Sequence, residues 1–308
     1  FYELGGGWYD NPYFCEDFRK MHEIYRAANT VPVTYQPPMA MFFDEKCFDG
    51  VSLSDGRWGG NRPWILAAEA QRMLAVSGVP YDIYELEDLY DLDLTPYKVL
   101  VFPNAWRANP KLAAFLKAKV YAAGKTAVWV YAPGYGQKGG LDGMSALTGF
   151  DFRQLPAGTP LQYRAGDGRM IGYPGMSLAE TFGIAGKDVR SLGSYPGANA
   201  VAAAWKKIGP GTSVYLPVHD PSGKMLREVL ARAGIAPVID RADRVVFDGV
   251  YLGVIATDGP GRRTVTVPGK IPVGVTDAFS GEDMALEGNR FGFDAAPGDA
   301  RLFKLRFP

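Results

Sequence analysis

Cysteine and histidine are scarce in this chain, with two of each. Cys15 and Cys47 are too few for a disulfide framework and too far apart for any Cys-x-x-Cys metal or redox motif, so they leave the compartment open between cytoplasmic and secreted. Buried free thiols are the plainer reading. His22 and His219 form no His-x-x-x-His pair, and no metal or other cofactor is expected. No apolar run approaches the ~20 residues of a membrane span. Nor is there an excess of one charge: 33 Lys plus Arg stand against 33 Asp plus Glu, which removes the field that steers a protein to nucleic acid or to an anionic membrane. What is present is ample apolar material, 47% of 308 residues, enough for a sizeable core and, by length, for two domains. The first residues, Phe1-Tyr2-Glu3-Leu4-Gly5, are neither Met-initiated nor a signal peptide, and they read as a cut or processed end inside a longer protein.

Periodicity divides the chain. From Asp10-Asn11-Pro12 to Ala28, a capping side chain and a first-turn proline precede Phe14, Phe18, Met21, Tyr25 and Ala28 at helical spacing. That apolar stripe needs a partner. Thr30 to Pro38 is a proline-spaced connector. Then short apolar runs (Met39 to Phe43, Val99 to Phe102, Thr126 to Tyr131, Ser213 to Leu216) alternate with helical patterns opened by Pro63, Asn109-Pro110 and Asp220-Pro221. Such alternation predicts an α/β domain, a doubly wound, flavodoxin-like parallel sheet covered on both faces. Residues 141–200 are glycine-rich and weakly periodic, and predict loops, an irregular strand or two and one or two short helices. After Ala236 the helical period disappears. Runs such as Arg244 to Phe247, Tyr251 to Ile255, Thr264 to Val267 and Leu302 to Leu305, with turn residues between them, predict a small antiparallel β-domain.

The opening Phe1-Tyr2-Glu3-Leu4-Gly5-Gly6-Gly7-Trp8-Tyr9-Asp10-Asn11-Pro12 resembles the last strand and loop of the catalytic barrel in family-42 β-galactosidase-like glycoside hydrolases. Tyr97 to Asn104, Val128 to Tyr135 and Leu147-Thr148-Gly149 are similar to the class I glutamine amidotransferase-like second domain of those enzymes, often called the trimerisation domain. Val275 to Gly281 and Arg301-Leu302-Phe303 resemble their small C-terminal β-domain. The resemblance implies a barrel remnant and linker over 1–37, an amidotransferase-like α/β domain over 38–235 and a β-domain over 236–308. It departs from the family pattern at Phe1 and Gly5, where tryptophans commonly stand. It further implies that the barrel's two catalytic glutamates, which retaining hydrolysis holds about 5 Å apart, belong upstream of Phe1. The chain would then hold no catalytic residue of its own. Its implied partners are an N-terminal barrel and further copies of itself, as a trimer. In the intact parent, Glu3 and Trp8 would line the sugar pocket.

Other patterns carry weaker chemistry. An amidotransferase fold places its nucleophile at the turn after a central strand, and here that turn, Ala132-Pro133-Gly134-Tyr135, offers neither cysteine nor serine. A scaffold without chemistry is the reading preferred over a working amidotransferase built on Cys47 and His219. Gly124-Lys125-Thr126 lacks the earlier glycine of a phosphate loop and reads as a helix stop before a strand. The acidic cluster Glu85, Glu87, Asp88, Asp91 and Asp93 reads as a solvated turn with helix-start carboxylates rather than a sugar or calcium site. Asp44-Glu45 follows the first strand, where ligands of open α/β sheets gather. The nearby loop carries Arg57, Trp58 and Arg62, suited to a subunit interface and also to stacking on a sugar ring. A carbohydrate-binding module, dependent on Trp58, is the alternative function.

Overall fold

The computed structural model describes residues 11–48, 62–173 and 180–308. These form two compact units, one spanning Pro37–Pro237 and one made of the chain up to Gln36 with Val238–Pro308.

The second of these units begins with helix α1 (Pro12–Ala28), entered as its residues dictate: Asn11 accepts the Tyr13 N–H at 3.0 Å and Pro12 occupies the first turn. Arg19 ties Glu16 and Glu23 on its outer surface. The cover that the apolar stripe calls for is not complete among the described residues. No α1 residue is buried, and Tyr13, Met21 and Tyr25 are 83%, 50% and 63% exposed. The connector after α1 is pinned where Thr34 N and Tyr35 N donate to the carbonyl of Asp248 at 2.8 and 3.1 Å.

In the Pro37–Pro237 unit the elements are β1 (Met39–Phe43), α2 (Arg62–Ala75), β2 (Tyr81–Glu85), β3 (Val99–Phe102), α3 (Pro110–Phe115), β4 (Thr126–Val130) and α4 (Gly140–Thr148). There follow β5 (Phe152–Gln154), β6 (Gln162–Ala165), β7 (Met170–Gly172), β8 (Phe182–Ile184), β9 (Arg190–Tyr195), β10 (Ala200–Ile208), β11 (Gly211–Leu216) and α5 (Lys224–Arg232). Among the described residues these eleven strands make one sheet, with β2-β1-β3-β4-β11 parallel and β10, β9, β6 and β7 added antiparallel beyond β11. The sheet is thus mixed, not the purely parallel one that the sequence predicts. Residues 141–200 depart most from expectation: besides α4 they contribute β5 to β9. Short strands rich in glycine and polar residues carry little periodicity, and pairing with longer neighbours makes them strands.

The parallel half is legible in its side chains. β3, β4 and β11 are buried along their whole length, as strands covered on both faces must be. Register places Phe42 beside Tyr84 and Phe102 beside Trp129, so four rings stack in a row across β2, β1, β3 and β4, with centroids 5.7, 5.7 and 4.5 Å apart. Such stacks add about 1 kcal/mol per pair beyond burial. Trp129 keeps its polar atom satisfied by donating to Ser213 Oγ at 3.2 Å.

The remaining strands are β12 (Arg244–Phe247), β13 (Tyr251–Ile255), β14 (Gly261–Thr266), β15 (Gly274–Asp277), β16 (Leu286–Glu287), β17 (Arg290–Ala295) and β18 (Ala300–Arg306). They build two antiparallel sheets, β12-β13-β18-β15 and β14-β17-β16, on the alternating runs that predict them. Phe303 of β18 meets Phe291 and Phe293 of β17, each at 4.9 Å, so both sheets share one core. Beside it Arg263 and Asp243 form a fully buried ion pair at 3.0 Å. The guanidinium also donates to the carbonyls of Gly261, Ala295 and Asp258. Asp243 Oδ1 accepts the N–H groups of Thr257 and Asp258 at 2.6 and 2.9 Å. Every arm of the pair is used, which is the condition for burying charge at tolerable cost.

Candidate functional site

The carboxyl ends of the parallel strands bring the chemistry-bearing residues of the α/β unit to one edge, where the topology of open sheets favours ligands. At the end of β1 lies Asp44, 4% exposed. Arg107 grips it with two bonds, Nε to Oδ2 at 3.0 Å and Nη2 to Oδ1 at 2.9 Å. Asn104, fully buried after β3, reads the backbone of Asp44 in both directions, accepting its N–H and donating to its carbonyl, each at 2.9 Å. The same amide donates to Cys47 Sγ at 3.0 Å. Asp44, the residue singled out by its place after the first strand, is therefore committed to a guanidinium fork. Neither Asn104 nor Arg107 is conspicuous in the sequence. Asn104 follows an apolar run and a proline, and only the parallel pairing of β1 with β3 brings it to Asp44.

The turn after β4 holds the next feature. Tyr131 has φ of 69°, a left-handed conformation that costs a bulky residue about 1–3 kcal/mol and persists only where its surroundings impose it. They do so here: its N–H donates to Leu216 O at 2.9 Å, its carbonyl accepts the Tyr215 hydroxyl at 2.6 Å, and its own hydroxyl donates to Glu180 O at 3.0 Å. Trp106 stands edge-on to its ring at 5.8 Å and donates Nε1–H to Val130 O. The turn that the sequence places at 132–135 is formed, with Tyr135 N donating to Ala132 O at 3.1 Å and Gly134 at φ 76°; the strained residue stands one position before it, and it is a tyrosine. Burial pushes its hydroxyl well above the ordinary phenol range, so it is held as a neutral donor rather than a nucleophile.

At the end of β11, His219 is fully buried. Its Nε2 lies 2.6 Å from the Tyr173 hydroxyl. Burial lowers the imidazole pKa to about 4 and raises that of the Tyr173 phenol to about 12. Both groups are therefore neutral near pH 7 and share one hydrogen bond between the phenol oxygen and Nε2. Nδ1 is buried and has no partner among the described residues. Glu69 Oε2 is 3.8 Å from Nε2, but a neutral imidazole makes that no ion pair. The adjoining Asp220 is desolvated, yet donors from Ser222, Met225 N and Arg169 outweigh burial and hold its carboxyl below the ordinary value. It fastens the start of α5. Cys47 and His219 are not brought together; their partners are Asn104 and Tyr173.

Lys125 spans no phosphate loop: its ammonium donates to the carbonyls of Leu94 and Tyr97, both at 2.7 Å. In the acidic cluster, Asp88 accepts the Glu85 N–H at 3.1 Å to cap the short turn of helix at Leu86–Tyr90. Burial, with Glu45 and Asp88 nearby, holds the Glu85 carboxyl above its ordinary range. No group of three or more His, Cys, Asp or Glu side chains among the described residues could hold a metal ion. None of their helices is long and apolar enough to cross a membrane. Glu3, Trp8, Arg57 and Trp58 lie outside the described residues, and of Arg62 only its place at the start of α2 is described.

No protein-family model matches the sequence, and no curated protein matches it. Solved structures do match in fold. A catalytic mutant of Gan42B, a GH42 β-galactosidase from G. stearothermophilus, superposes with a TM-score of 0.63 at 16% identity, over 97% of this chain and 44% of that one. The cold-adapted β-galactosidase from Rahnella sp. R3 gives 0.62 at 15% identity, over 94% and 44%. The α-L-fucosidase isoenzyme 2 from Paenibacillus thiaminolyticus gives 0.58 at 14% identity, over 93% and 51%. The chain shares the fold of part of these glycoside hydrolases and spans less than half the length of the two β-galactosidases.

Proposed function

We propose that this chain is the non-catalytic C-terminal portion of a β-galactosidase-like glycoside hydrolase. Its flavodoxin-like, amidotransferase-like α/β domain would support assembly, as a trimer, and its β-domain would pack as a cap. The observation that carries the reading is the asymmetry of the fold match: 97% of this chain is accounted for by 44% of the neighbour. The exposed Met21 and Tyr25 on α1 agree with it, since an amphipathic helix that buries none of its residues retains an apolar side for a larger partner. Two carboxylates beyond the strand ends also agree. Asp44 is gripped by Arg107 and Asp220 by Arg169, whereas retaining hydrolysis requires one carboxyl able to donate a proton and another able to attack.

The proposal is tested by incubating the chain with nitrophenyl galactosides, fucosides and glucosides. The expected result is no release of nitrophenol above buffer. Turnover that survives repurification and falls on substitution of a carboxylate in this chain would refute it.

A further inference from the structure

Two cavities of about 130 and 240 Å³ run along one side of α5 in the α/β unit and share Leu192 and Arg232 as walls. Three elements converge there: β9 brings Arg190, β10 brings Trp205 and Lys207, and the last turn of α5 brings Arg232. The ionisable lining is Arg169, Arg190, Lys207 and Arg232 against Asp167 and Glu228, an excess of cations in a chain whose formal net charge is zero. Pairing uses up the acids. Asp167 holds Arg169 at 2.6 Å and Glu228 holds Arg232 at 2.7 Å. The side chains of Arg190 and Lys207 make no hydrogen bond or ion pair among the described residues.

Arg190 is nonetheless placed. Its guanidinium carbon lies 5.6 Å from the centre of the Trp205 ring, and that of Arg232 lies 4.9 Å from it. A guanidinium resting on an indole loses little of its donor capacity, because its N–H groups point along its edge, in the fork that matches the two oxygens of a carboxylate or phosphate. The cavity wall also holds an unmet donor: Trp205 Nε1 is buried without an acceptor among the described residues. Buried donors normally have a partner in protein, water or ligand.

We propose that this trough binds a small oxyanion, carboxylate or phosphate, clasped by the Arg190 fork and the free edge of Arg232, with Lys207 at the rim. The site is distinct from the strand-end cluster and independent of the glycoside-hydrolase reading. The test is calorimetric titration of the chain at low salt with inorganic phosphate, with galacturonate and with galactose, repeated on Arg190→Gln. Galacturonate and galactose differ by the carboxylate alone, so that pair isolates charge recognition. Saturable binding of phosphate, of galacturonate or of both is expected, with the responding probe identifying the anion, and galactose is expected to be silent. Loss of one charge-assisted contact should weaken binding about tenfold in Arg190→Gln. Arg190 is exposed, and an unchanged melting temperature of the variant will show that its fold is intact. Galactose binding as well as galacturonate, Arg190→Gln binding like the parent, or no saturation by either anion would each overturn the proposal.

Discussion

Among single residues, Arg263 and Asp243 carry a large stake in stability. Both are fully buried, and the guanidinium reaches three carbonyls besides its carboxylate. Arg263→Met should cost about 3–5 kcal/mol in urea unfolding, because it leaves a buried carboxylate without its counter-charge. The double variant Arg263→Met, Asp243→Leu should recover part of that loss, and equal losses in the single and double variants would contradict the account. His219 makes a pH-dependent contribution of opposite origin. Burial lowers its folded pKa to about 4, below the ~6.5 of an unfolded chain. On acidification the unfolded state therefore takes up the proton first. Stability should fall as pH drops from about 6.5 and level off near pH 4, once the native imidazole also protonates, by about 3 kcal/mol in all. His219→Gln should flatten that part of the stability profile, and an unchanged slope in the variant would remove His219 as its source.

At the scale of elements, the turn after β4 shows what a local pattern finds and what it misses. Ala132-Pro133-Gly134-Tyr135 reads as a turn in sequence and is one, closed by Tyr135 N donating to Ala132 O at 3.1 Å with Gly134 at φ 76°; what the sequence does not show is the strained Tyr131 just before it, which hydrogen bonds from β11 and the Glu180 carbonyl hold in its left-handed conformation. Those partners are 49 and more positions away, and no propensity encodes them. The following helix is fitted to the turn by small residues. A Cβ on Gly143 would collide with the carbonyl oxygen of Gly134. Gly143→Ala should therefore destabilise by about 1–3 kcal/mol through overpacking, against the gain of roughly 1 kcal/mol that alanine brings to an ordinary helix interior. A rise in thermal midpoint would show that the contact relaxes freely. Strands β5 to β9 make the same point by contrast. They are three to six residues long, and their identity as strands comes from sheet pairing.

For the whole molecule, the two compact units have separate apolar cores, one built on β1, β3, β4 and β11, the other on Phe291, Phe293 and Phe303. Calorimetry should resolve two unfolding transitions, and Arg263→Met should lower one while leaving the other in place. A common shift of both would mean that the cores unfold as one. The sequence by itself determined the continuous apolar runs of the parallel strands, the helices opened by Pro12, Pro63 and Pro110 and the alternating strands after residue 236, whereas α5 starts at Lys224 rather than at Asp220-Pro221. Each of these follows from local burial periodicity, which sterics and the hydrophobic effect write directly into residue order. Only the tertiary structure decided the antiparallel extension of the sheet, the strained Tyr131, the Asn104–Asp44–Arg107 constellation and the cationic trough beside Trp205. Each of those joins residues distant in the chain through hydrogen bonds and charge contacts whose energies depend on geometry, and geometry exists only after the strands have paired.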